Sequence, residues 1–82
     1  MRIIAQVPHP QMKISIFSYN DKYIIEMEAG PYKQTYKISH DGVSGPDDVK
    51  ALCTPELIHG TLSRFSQMHG DFHIAYQSLS NT

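Results

Sequence analysis

Two histidines four residues apart, His69 and His73, are the pair whose type and spacing best suit chemistry. On a helix that spacing puts both imidazoles on one face, as zinc sites often require. A metal centre also needs a third and a fourth ligand. His59 lies about 15 Å away along a helix axis and cannot share a metal with His69. Asp71, on the same helix, faces well away from the pair. Cys53, His40 and His9 reach it only through tertiary folding. His69 and His73 are therefore expected to pack their rings and hydrogen-bond one nitrogen each, with no metal and no other cofactor. A metal or small ligand held by the pair is the alternative.

Cys53 is the only cysteine, which excludes an internal disulfide. It falls between a helix end and a helix start, where a dipole can lower a thiol pKa. A small, buried, reduced thiol is the commoner role, and no base or family signature stands beside it. His40-Asp41 and Asp47-Asp48 are the remaining acid–base clusters. Both occupy turn or helix-start positions, where Asp serves hydrogen bonding and the helix dipole. No residue is expected to be catalytic.

The elements that position these groups follow from a change of hydrophobic period near residue 46. Before it apolar residues alternate; after it they recur every three or four positions. Tyr19-Asn20-Asp21-Lys22 centres on two residues tolerant of positive φ, as a type I′ hairpin requires. That turn pairs Ile16 with Ile25, Ile14 with Met27 and Met12 with Ala29 on one face. Lys13 with Glu28, Ser15 with Glu26 and Phe17 with Ile24 fall on the other. Gly30-Pro31 makes the next turn and pairs Ala29 with Tyr32, Ile25 with Tyr36 and Tyr23 with Ile38, again on the inner face. Glu28 would then lie between Lys13 and Lys33 in a charge row. A first strand from Ile3 to Val7 is expected to set Val7, Ala5 and Ile3 opposite Met12, Ile14 and Ile16 across a four-residue loop.

Pro46-Asp47-Asp48 reads as the first turn of a short helix reaching about Cys53. Thr54-Pro55-Glu56 restarts the signal with an N-cap, a proline at N1 and an acid. From there Ile58, Leu62, Phe65, His69, Phe72, Tyr76 and Leu79 keep a strict four–three alternation, widened by Leu57, Thr61, Met68 and Ala75. The stripe holds its phase across Gly70, so one continuous helix is expected.

The fold class expected is α+β, one domain over residues 1–82: an antiparallel meander of three to four strands, a short helix, and a long C-terminal helix covering one sheet face. Ile14, Ile16, Ile25, Met27, Leu62 and Phe65 are its expected core. A helix from Pro55 to Leu79 is roughly 37 Å long, whereas strands of eight residues span only ~27 Å. About 10 Å of helix should overhang the sheet, carrying Phe72, Tyr76 and Leu79 as the expected interaction residues.

The outer sheet face sets Lys13, Lys33 and Lys37 beside Phe17 and Tyr19, in the manner of a single-strand nucleic-acid platform. Glu26 and Glu28 cancel much of that charge, and no RNA-recognition motif is present. A formal net charge of −1 draws the chain to neither nucleic acid nor an anionic membrane. No apolar run is long enough for a membrane helix, and the opening residues lack a secretory-signal pattern. With one cysteine, a cytoplasmic setting is the expectation. The expected function is a small non-catalytic interaction module, partnered by a second copy of itself or another protein. A nucleic-acid-binding sheet face or an enzyme ranks behind the metal- or ligand-binding alternative.

Overall fold

The computed structural model describes residues 2–80. A four-stranded antiparallel sheet, β1 (Arg2–Val7), β2 (Lys13–Tyr19), β3 (Lys22–Ala29) and β4 (Tyr32–Ser39), runs in the order β1-β2-β3-β4. A 3-10 turn, His40–Gly42, leads to α1 (Pro46–Leu52) and then to α2 (Pro55–Ser80). The fold is α+β, with helices packed on one sheet face.

The two hairpin turns fix the register. Asn20 takes a φ of 53° and Gly30 a φ of 59°, so each turn has positive φ at its first central residue. Asp21 does not share it, so the first turn lacks the second positive φ of the I′ turn expected. The pairing of β2 with β3 is nonetheless the one expected. Ile14 pairs with Met27, Ile16 with Ile25 and Phe17 with Ile24; Ile25 pairs with Tyr36 and Ala29 with Tyr32. Ile14, Ile16, Ile25 and Met27 are almost wholly buried.

The first strand departs from expectation. Val7 pairs with Ile14 and Ala5 with Ile16, two residues along from the proposed partners. A register shift between Ile3 and Ala5 then puts Ile3 opposite Phe17, on the outer face. An extra residue in one strand of a ladder has this effect. Ile4 and Ala5 both pack against the core, while Ile3 is exposed.

The charge row also differs. Glu28 does stand between Lys13 and Lys33 in register, but the Lys33 ammonium turns diagonally to Glu26, at 3.5 Å.

The helices begin as the sequence signals. Thr54 caps α2, its Oγ1 accepting from the Leu57 amide at 3.1 Å. Asp48 accepts from the Ser44 amide at 2.9 Å and closes the start of α1. The long helix passes unbroken through Gly70.

Phe65 is buried, and Leu57, Ile58 and Leu62 pack half-buried beside it. Three further buried residues complete the core, the first being Met12, just before β2. Val49 of α1 has no exposure and joins the same cluster as the inner sheet face. Thr61 is also fully buried; its hydroxyl donates to the Leu57 carbonyl at 2.9 Å, lies 3.4 Å from Met27 Sδ, and accepts from Arg64 at 3.4 Å. A buried hydroxyl with its hydrogen bonds made carries no desolvation penalty to speak of.

Because α1 packs over β1 and β3, α2 is left mainly with β4. The cover of the sheet is therefore shared between the two helices. Every residue from Ser66 to Leu79 is exposed, and the longest dimension of the molecule is 52 Å.

Candidate functional site

The sheet side of α2 ends in an aromatic contact. Tyr32, opening β4 just after the Gly30-Pro31 turn, lies on the inner face. Its ring stacks on Phe65 with centroids 6.3 Å apart. It meets His69 edge-on at 6.0 Å, and its hydroxyl lies 3.0 Å from His69 Nδ1. One turn further on, the His73 ring lies nearly parallel to His69, with centroids 6.0 Å apart and planes 18° from each other. Phe72 and Tyr76 make a second edge-to-face pair at 6.2 Å. Tyr32, His69, Phe72, His73 and Tyr76 together line an open groove of about 190 Å³.

The helical spacing thus gathers both histidines and two of the three expected interaction residues in one place. Leu79 lies one turn beyond, 71 % exposed; Phe72 is 54 % and Tyr76 64 % exposed. Tyr32 was not foreseen as a member. Its turn and its inner-face position were legible, but its meeting with His69 depends on where along the sheet the helix settles.

Among the described residues, no group of three or more His, Cys, Asp or Glu is placed to hold a metal ion. His59 lines a different groove with His9, near the start of α2. His40 packs against Tyr23 with centroids 4.2 Å apart and planes tilted by 40°, and its Nε2 is buried without a hydrogen bond. Asp41, Asp47 and Asp48 are exposed. The acid–base clusters of the sequence do not converge.

Cys53 is half-buried at the C-terminal end of α1, its thiol 3.9 Å from the Val49 carbonyl. Burial pushes its pKa up, opposite to what an activated nucleophile needs. On the outer face Ile24 is buried despite having no helix above it. Tyr19, Lys22 and Lys37 surround it, and lysine stems commonly shield apolar surface in this way.

No helix among the described residues is long and apolar enough to cross a membrane. Compared with known proteins, the chain matches no family model, no curated protein sequence and no solved structure.

Proposed function

We propose that this chain is a small non-catalytic interaction module that associates with a second copy of itself through the exposed half of α2. The observation that carries this reading is the stripe itself. Ile58, Leu62 and Phe65 lie on the sheet, and the same row continues in phase as Phe72, Tyr76 and Leu79 where no sheet remains.

Two properties of the overhang support it. From Ser66 to Ser80 the only formally charged residue is Asp71. A helix that stays in water normally carries charge on most of its circumference, whereas interface cores are depleted of it. The second property is area. With full aromatic side chains presenting on the order of 200 Å², Phe72, Tyr76 and Leu79 leave roughly 300–400 Å² of apolar surface exposed per chain. A two-fold contact doubles that to about 700 Å², and Met68, Ala75 and the polar rim bring it toward the ~1,200 Å² at which specific interfaces begin. The four–three spacing is also the seam of paired helices, so a second copy of the same helix fits the stripe.

A reducing, cytoplasmic setting suits the single free thiol, and the mixed charge of the outer sheet face gives nucleic acid little to bind. Light scattering at tens of micromolar tests the reading. The wild type is expected at the mass of two chains and Phe72→Glu at the mass of one. A monomeric wild type, or a mutant that pairs equally well, contradicts it.

A further inference from the structure

We infer that His69 and His73 form half of a divalent transition-metal site, which a second copy of the chain completes with the same two residues. The inference rests on the self-association proposed above, because one chain alone supplies only two ligands.

The first support is the tautomer. For His69 to bind a metal through Nε2, its proton must sit on Nδ1 and find an acceptor. Tyr32 Oη stands 3.0 Å from Nδ1, in position to accept it. Metal-bound histidines almost always have such a partner, which fixes the ring and raises its basicity. The neutral imidazole gives its lone pair to the metal without losing a proton.

The second support is ring placement. The centroids lie 6.0 Å apart, and because the stacked planes differ by only 18°, both rings must turn to aim a nitrogen at one metal. With Zn–N bonds of about 2.0–2.1 Å, two imidazoles on one tetrahedral metal sit roughly 5 Å apart, centre to centre. Side-chain rotation closes the difference. Both rings line the open groove rather than the core, so the metal can enter from solvent.

The third support is location. His69 lies on the stripe that the second copy would cover and His73 at its edge, beside Phe72 and Tyr76. A two-fold axis passing midway between them brings the two pairs face to face. Four imidazole nitrogens then surround one point, a donor set suited to Zn²⁺, Cu²⁺ or Ni²⁺ rather than Mg²⁺ or Ca²⁺. The missing third and fourth ligands, which exclude a metal centre in a single chain, are thereby supplied.

The test uses the full chain stripped with chelator, then titrated with Zn²⁺, and with Co²⁺ as its coloured substitute, while sedimentation velocity follows its mass. Binding is expected to saturate at one metal per two chains, to give Co²⁺ the visible spectrum of tetrahedral nitrogen ligation, and to tighten the dimer by at least about tenfold. His69→Ala and His73→Ala should each abolish saturable binding. Tyr32→Phe should weaken it about 10–100-fold. Phe72→Glu, once monomeric, should hold no metal. Absence of saturable binding, or one metal per chain retained by the Phe72→Glu monomer, overturns the inference. A chelated dimer indifferent to zinc refutes the metal bridge and leaves self-association standing. A chelated monomer that pairs only on zinc upholds the bridge and refutes association by the apolar stripe. A chain that stays monomeric under both conditions refutes both.

Discussion

Tyr32 and His69 mark the point where α2 leaves the sheet: the tyrosine hydroxyl lies 3.0 Å from His69 Nδ1, and the stripe residues beyond, Phe72, Tyr76 and Leu79, are all more than half exposed. On the sheet side of this contact the stripe is core. Past it, the same row faces solvent, which is why the two halves of one helix serve different ends.

The core half is testable by truncation. Phe65 is 5 % exposed and stacks on Tyr32. Phe65→Ala is expected to cost about 3–5 kcal/mol in a denaturant melt, through lost burial and the cavity left behind. A loss below about 1 kcal/mol would mean that this face does not hold the helix to the sheet.

Val49 carries the shorter helix. It is the one buried residue of α1 and has no exposure. Val49→Ala removes two methyl groups' worth of apolar surface and should cost on the order of 2 kcal/mol. An unchanged melt would place α1 off the core.

Gly70 separates a continuous helix from a broken one. It lies inside α2, its φ is not positive, and a Cβ added there meets nothing within 4 Å. Gly70→Ala should therefore stabilise the protein by about 0.5–1 kcal/mol and leave its oligomeric state unchanged, since the residue faces away from the stripe. Destabilisation by alanine would point to a bend.

Cys53 supplies a pH dependence. Burial raises the folded thiol's pKa above that of the unfolded chain. Its contribution to stability is fully present below the unfolded pKa and is lost as pH rises through the folded one. Alkylation by iodoacetamide should accordingly reach half its limiting rate at higher pH in the folded protein than in denaturant. A folded midpoint at or below the denatured one would contradict the burial.

These residues also show why some features were legible in the sequence and others were not. The β2–β3–β4 register followed from two turns that agree on the same inner face, each constraining the other. β1 had only a loop length to set it, and its irregularity at Ile3–Ala5 cannot be read from alternation. α1 is a two-turn helix with one buried residue, Val49, too little to generate a hydrophobic period in the sequence. Because α1 occupies sheet surface, α2 sits toward β4 and meets Tyr32, a tertiary consequence that no local spacing encodes. The histidine pair and the aromatic stripe were visible because both lie on one helix.

Hydrogen exchange along α2 tests the proposed interface most directly. Amides from Ser66 to Leu79 lie on a solvent-exposed helix in one chain, and association would cover them. Measured on metal-free protein from sub-micromolar to high-micromolar concentration, their protection should rise with concentration, while that of Leu57 to Phe65, already held on the sheet, should change far less. Protection in residues 66–79 that stays the same over that range would contradict self-association through this helix.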